Sequence, residues 1–208
     1  MEFMPYWPSA IILLAAVFCI IVFIWLAVKV GFRSVELPEK RAGRLGERFA
    51  YEVISEILRD DDVLLTNVTV RAAGKQAEFD DIIINPTGVY IIEVKNYNGE
   101  LFGDEDDYEW IKNKMTPGGQ FYQKTVKNPI KQVKRQVYVL AQYLRSRGIN
   151  VWIKGYVFFA QQNSPVRSAY VLETQRDIDK AIHRKGDVVL DDEAIDRIHD
   201  ILIDSYKS

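Results

Sequence analysis

The stretch Glu78-Phe79-Asp80-Asp81-Ile82-Ile83-Ile84-Asn85-Pro86-Thr87-Gly88-Val89-Tyr90-Ile91-Ile92-Glu93-Val94-Lys95 reads as two apolar strands joined by a Pro/Gly turn. Side chains alternate along a strand with period two, so Glu93 and Lys95 share a face while Val94 points into the other layer. The hairpin brings Asp80 back beside them. Two carboxylates about 5 Å apart repel by roughly 3 kcal/mol at an effective dielectric of about 20, so such a site calls for a cation or a proton. Oxygen ligands favour a hard ion, Mg²⁺ or Mn²⁺, over zinc. Lys95 adds a positive charge on a side chain whose pKa shifts readily when desolvated. Taken alone, Glu-x-Lys also suits the solvent face of an ordinary strand.

Upstream, Gly43-Arg44-Leu45-Gly46-Glu47 opens a helical pattern with Phe49, Ala50, Val53, Ile54, Ile57 and Leu58 as its apolar stripe. At about 100° per residue Glu47 falls on the edge of that stripe, in line with Ile54 and Leu58. A core-facing carboxylate wants a partner. The competing reading is a first-turn acid favoured by the helix dipole.

Taken together, these residues resemble the nuclease-related domain, a branch of the PD-(D/E)xK, restriction-endonuclease-like nucleases. The resemblance is carried by Gly43-x-x-Gly46-Glu47, Glu78-Phe79-Asp80, Pro86-x-Gly88-Val89-Tyr90 and Ile92-Glu93-Val94-Lys95-Asn96. It continues through Gly99 and Gly103 to Trp110, and into Asn128-Pro129-x-x-Gln132. The resemblance implies a central mixed sheet flanked by helices, with Asp80 and Glu93 as metal ligands and Lys95 acting on the water or phosphate. It further implies that Glu47 assists from the first helix, that Gln132 looks into the site, and that Glu78 supports the constellation or lies just outside it. Asp81 stands where such domains often carry histidine and competes for the ligand role. The Glu-x-Asp pattern favours Asp80.

The chain is slightly acidic, 27 Lys plus Arg against 29 Asp plus Glu, which argues against a general nucleic-acid coat protein. Its charge is nevertheless segregated: Ile111 to Leu172 holds eleven Lys or Arg and no Asp or Glu, directly after Asp104-Glu105-Asp106-Asp107. A phosphate polymer such as DNA would be drawn to that stretch through counterion release. Within it, Asn128-Pro129 reads as the N-cap and first position of a helix with Ile130, Val133, Val137, Leu140, Ala141 and Leu144 on one side. Lys131, Lys134 and Arg135 then fall largely on other faces, either to meet a nucleic-acid backbone or simply to be solvated.

At the other end of the chain, Ala10 to Val28 is an unbroken run of 19 residues without a charged or strongly polar side chain. As a helix it is about 28 Å long, enough to cross a bilayer core. A secretory signal fits less well, because Glu2 replaces the basic n-region, the run is long and no small-x-small cleavage site follows. Lys29, Arg33, Lys40, Arg41 and Arg44 follow the run and no basic residue precedes it, so the positive-inside rule predicts a single-pass protein of the cell membrane, N-terminus out, with its globular part in the cytoplasm.

The expected organisation is a transmembrane segment over 1–31, a linker over 32–42, a nuclease-related core over 43–165 and a strand and helix extension over 166–208. The pattern predicts a buried strand over Val151 to Ala160 at the end of the core and, in the extension, a short strand over Ser168 to Leu172, a helix over Asp177 to His183, and a strand-like Val188 to Leu190. Asp191 would cap a last helix striped by Ile195, Ile198, Leu202 and Tyr206. The fold class is therefore mixed α/β. One cysteine, Cys19, leaves no disulfide framework, and His183 and His199 alone are too few imidazoles for zinc. Ala73-Gly74-Lys75-Gln76 lacks the remainder of a P-loop, and no dinucleotide fingerprint is present. These readings predict a membrane-anchored, Mg²⁺- or Mn²⁺-dependent nuclease acting on DNA. The alternatives are a catalytically silent nuclease-like module that binds nucleic acid, a nucleotide or a protein at the membrane, and a scaffold whose basic helix lies on anionic lipid. Oligomeric state is not readable from the sequence.

Overall fold

The structure is a computed structural model that describes residues 7–31, 37–115, 118–184 and 189–205. The chain divides into two compact units, Met1–Arg41 and Ala42–Ser208. In the first, α1 (Trp7–Gly31) is a 25-residue helix. Its side chains are described over 14–26, where all are exposed. Among the described residues no helix is long and apolar enough to cross a membrane. Helix α2 (Pro38–Ser55) starts inside the stretch expected to be linker, with Pro38 at its first position and Glu39 in its first turn, both of which favour a helix N-terminus. Residues 32–36 of that expected linker lie outside the described residues.

The second unit is built on a five-stranded mixed sheet ordered β1-β2-β3-β7-β8. Strands β1 (Val63–Ala72), β2 (Lys75–Asn85) and β3 (Gly88–Lys95) form an antiparallel meander. Strand β7 (Ile153–Phe159) joins β3 in parallel, and β8 (Val171–Leu172) joins β7 in parallel. The rejected P-loop resemblance at Ala73-Gly74 is the β1–β2 hairpin turn, where φ is 51° and 70° at the two residues. Two successive positive φ angles match the twist of the flanking strands.

The crossover from β3 to β7 carries a separate three-stranded antiparallel sheet, β4 (Glu100–Phe102), β5 (Glu109–Met115) and β6 (Phe121–Lys127), followed by α3 (Pro129–Arg145). Asn128 caps α3 as expected, its Oδ1 accepting from the Ile130 N–H at 2.9 Å. Its amide also donates to the carbonyls of Glu105 and Asp107 at 2.9 and 2.8 Å, which fixes the acidic turn against the helix start. Helices α4 (Gln175–His183) and α5 (Asp192–Asp204) complete the unit, the latter capped by Asp191.

Both faces of the sheet are covered. On one face Val89, Ile91, Val157 and Phe159 pack with Ile130, Val133 and Leu140 of α3, Ile195 and Ile198 of α5, and Trp110 of β5. On the other, Ile83, Tyr90, Ile92 and Val94 pack with Ala50 and Ile54 of α2 and Ile178 and Ile182 of α4. Strand β3 is therefore buried on both sides from Gly88 to Val94, which is why it reads as a nearly continuous apolar run. The expected strand at 188–190 does not form over its described residues: the Leu190 N–H donates to the Pro86 carbonyl at the β2–β3 turn (2.9 Å), not to a ladder. Val188 and Tyr206 lie outside the described residues.

Close packing of α3 on β7 depends on Gly155, where an added Cβ would stand 2.7 Å from the Cγ2 atoms of both Val133 and Val137. Those branched side chains have no room to withdraw on a packed interface. Gly155→Ala is expected to cost about 1–3 kcal/mol of stability in urea unfolding, through overpacking and not through backbone strain.

Candidate active site

A carboxylate, Glu93, is buried to 3% exposure at the end of β3 on the α3 side of the sheet. Such a charge needs partners, and three side chains supply them. Lys95 Nζ donates to Glu93 Oε1, Gln132 Nε2 donates to the same oxygen at 2.6 Å, and Gln136 Nε2 donates to Glu93 Oε2. The two glutamines stand one turn apart on α3, so one helix face holds the carboxylate from above. Gln136, itself only 3% exposed, also donates to the Glu78 carbonyl at 2.8 Å and so ties α3 to β2. The sequence reading missed Gln136. Its signal was the i, i+4 spacing from Gln132 on a face otherwise filled by Ile130, Val133 and Leu140.

Asp80 reaches the site because β2 and β3 part company beside it. Their pairing ends at Asp81↔Ile92, which leaves the Val94 N–H without a strand partner, and Asp80 Oδ2 accepts that N–H at 2.7 Å. On the other edge of β2, the pairs Thr66↔Asp81 and Val68↔Phe79 flank a step at which Asn67 has φ 55°. Core-facing parity changes across that step on both strands, from Leu65 to Val68 and from Phe79 to Ile82. Asn tolerates a left-handed backbone better than most residues, so Asn67 is the sequence trace of this kink.

The carboxylates feel one another. Burial first, then the charge of Glu93, raises the Asp80 carboxyl to about 7, against the opposing pull of the Val94 N–H and Lys95. Asp81, 3% exposed, is raised to about 8 by burial, then by Asp80, Glu47 and Glu93. Glu47, half-buried on α2, therefore contributes its charge to both aspartates. Burial pushes the Lys95 ammonium down, but Glu93, Tyr97 and Asp80 outweigh it and the net direction is up. The cluster thus holds more negative than positive charge in a poorly solvated place, which is the condition for taking up a cation or protons. The oxygen donors of Asp80 and Glu93 fit a hard divalent ion. Among the described residues, no three His, Cys, Asp or Glu side chains stand in a ready-made ligand arrangement.

The sequence-selected residues divide accordingly. Asp80, Glu93, Lys95, Gln132 and Glu47 converge, Asp81 joins them from the α2 side, and Glu78 lends only its carbonyl while its side chain is exposed. Helix α2 is brought down onto this end of the sheet by Gly46, where a Cβ would lie 2.5 Å from Asn96 Cβ, and by the Asn96 amide donating to the Ala42 carbonyl at 2.8 Å. The expected nucleic-acid contacts have internal partners. Lys131 lies 5.1 Å over the Tyr108 ring, Lys134 pairs with Glu105 at 3.1 Å, and Arg135 donates to the Gln76 carbonyl at 3.2 Å.

The nuclease-related domain (NERD) family matches residues 42–160, a span that contains every residue of this cluster, and the chain belongs to that family. An uncharacterized protein of Bacillus anthracis is 34% identical over 74 residues, covering 35% of each chain. The chain thus spans about a third of the length of that curated relative. No solved structure matches.

Two outcomes are expected from this geometry. Gln136→Leu leaves Glu93 Oε2 and the Glu78 carbonyl short of a donor and should cost about 1–3 kcal/mol in urea unfolding. Asp80 and Asp81 have folded values raised above the unfolded carboxylate value, so the folded state binds more protons between pH about 4 and about 8. Melting temperature in a chelator should therefore fall as pH rises through that window and level off above it. Asp81→Asn should flatten the slope, and a curve unchanged by that substitution would refute the assignment.

Proposed function

We propose that the protein is a metal-dependent nuclease that hydrolyses DNA phosphodiester bonds at the Asp80, Glu93 and Lys95 cluster, on a restriction-endonuclease-like variant of the mixed α/β fold. The observation that carries this reading is the parting of β2 and β3 at Asp80. It lines up two carboxylates and a lysine at one strand end, inside the family-matched region, with Gln132 facing them from α3. Asp80 and Glu93 would hold Mg²⁺ or Mn²⁺, which when bound acidifies a water and neutralises charge on the phosphate. Lys95 would hold the attacking water or a phosphate oxygen in line with the scissile bond, since its ammonium already stands against Glu93 and has three donors to share. Gln132 and Gln136 would keep the Glu93 carboxylate oriented, and Glu47 would steady the site from α2. The Lys and Arg concentrated from Ile111 to Leu172 would draw the substrate, with Lys131, Lys134 and Arg135 exchanging their internal partners for phosphates.

The same proposal includes a membrane anchor. It rests on the sequence, the charge-free run from Ala10 to Val28, and on the exposure of Leu14, Phe18 and Phe23 at 70%, 67% and 73%; the described side chains of α1, 14–26, are by themselves too short a stretch to cross a membrane. The basic residues after the run support a cytoplasmic globular unit.

A second reading has its own support: both Glu93 oxygens already have side-chain donors, an arrangement that is complete without a metal. On that reading the module binds a nucleic acid, a nucleotide or a protein and cuts nothing.

The full chain in detergent, incubated with supercoiled plasmid, separates the two. Cleavage should require Mg²⁺ or Mn²⁺ and stop on chelation, and Glu93→Ala and Lys95→Ala purified identically should each lose at least about 100-fold in rate while keeping their fold. Equal cutting by both variants would reject the site. Absence of cutting by folded wild-type protein would leave the binding module.

A further inference from the structure

On the α4 edge of the sheet, away from the carboxylate cluster, lies a cavity of about 860 Å³ whose chemistry the proposed nuclease does not use. Its volume is within the roughly 300–1,000 Å³ of small-molecule sites. Four cations border it: Arg59 after α2, Lys154 on β7, and Lys180 and Arg184 at the end of α4. Tyr156 and Leu172, which pack on the α4 face of the sheet, provide an aromatic and apolar wall.

The acids nearby are largely spent elsewhere. Asp177 forms the capping box of α4 with Thr174, and that hydrogen bond holds its carboxyl below the usual range. Asp179 accepts from the His183 ring at 2.6 Å and lies 3.8 Å from the Arg59 guanidinium. His183, with only 5% of its side chain exposed, bonds Asp62 at 2.8 Å through its other nitrogen. Asp62 in turn accepts the Arg59 N–H at 2.7 Å. The Asp62, His183 and Asp179 chain therefore clamps α4 to the segment after α2, and Arg59, Lys180 and Arg184 line the same cavity. Lys180 stands near Asp177 and helps to hold its carboxyl down, whereas among the described residues Lys154 and Arg184 form no ion pair: Lys154 lies 5.7 Å from the ring of the buried Tyr90, and Arg184 stands near Tyr156.

We infer that this cavity is a second binding site, for a small ligand of nucleotide type, with its phosphates among Lys154, Lys180, Arg184 and Arg59 and its aromatic part against Tyr156 and Leu172. Four cations around one concavity, two of them without carboxylate partners, match a compact polyanion, because each desolvated charge-assisted contact is strong only when the ligand brings its own charge. A tracking nucleic-acid backbone fits less well. The four cations surround one concavity, whereas a tracking backbone needs them along a groove. The inference stands apart from the nuclease reading, since it shares no residue with the Asp80, Glu93 and Lys95 cluster.

The test is calorimetric titration of the full chain in detergent with ATP, with inorganic tripolyphosphate and with a short oligonucleotide. A chelator is kept present so that metal at the carboxylates plays no part, and the salt is about 0.15 M. ATP should bind more tightly than tripolyphosphate. Lys180→Ala and Arg184→Ala, exposed positions that leave the fold intact by circular dichroism, should each weaken ATP by about tenfold. Glu93→Ala should leave ATP binding unchanged. Failure of the folded wild type to bind ATP, tripolyphosphate binding as tight as ATP, or ATP binding indifferent to both substitutions would overturn the inference. So would an oligonucleotide that binds through Lys180 and Arg184 while ATP does not.

Discussion

A carboxylate placed where water scarcely reaches governs this molecule. Glu93 ends a strand that is apolar on both faces, and an unpaired charge there would cost several kcal/mol. Lys95, Gln132 and Gln136 meet that demand, and meeting it fixes where α3 lies along the sheet. Gln136 extends the constraint to β2 through the Glu78 carbonyl. The helix, two strands and the site are thus one hydrogen-bonded assembly, and substitutions there couple instead of adding.

Around that centre the protein relaxes its own regularity. The β2–β3 ladder stops where Asp80 takes the Val94 N–H, and Asn67 absorbs the change of twist on the neighbouring strand. A continuous ladder would have satisfied Val94 with a carbonyl and left Asp80 on one face or the other. Ending the ladder at Asp81↔Ile92 instead gathers Glu47 and Glu93 close enough to Asp80 and Asp81 to raise both aspartates. Irregular backbone of this kind clusters at sites because it aims side chains that a regular strand cannot.

Much of this was legible in the chain. The apolar runs on either side of Asn85-Pro86-Thr87-Gly88 specify a doubly buried hairpin, and Val94 points away from Glu93 and Lys95 as period two requires. Asn128-Pro129 specifies the start of α3, and Asp191 that of α5. The role of Gln136 was not legible beyond its i, i+4 spacing from Gln132, because an amide inside a helix carries no mark of what it bonds until another strand arrives. Period two alone places Asp80 with Ile82 and Ile84, and nothing local announces the parity change at Asn67. The basic residues of α3 were misleading in isolation, since Lys134 and Arg135 find Glu105 and the Gln76 carbonyl from segments distant in sequence.

Local patterns determine what depends on neighbours along the chain: the apolar periodicities, the caps, the turn residues, the segregated charge and the family signature over 42–160. Those features suffice for a mixed α/β unit and for naming Asp80, Glu93 and Lys95. Tertiary structure decided what depends on distance between remote segments. It set Gln132 and Gln136 on one carboxylate, brought Glu47 to Asp81 through the close approach at Gly46, and joined Asp62 to Asp179 through His183. The physical reason is that electrostatic and hydrogen-bond energies act over a few ångströms in space, whereas sequence records only order along the chain.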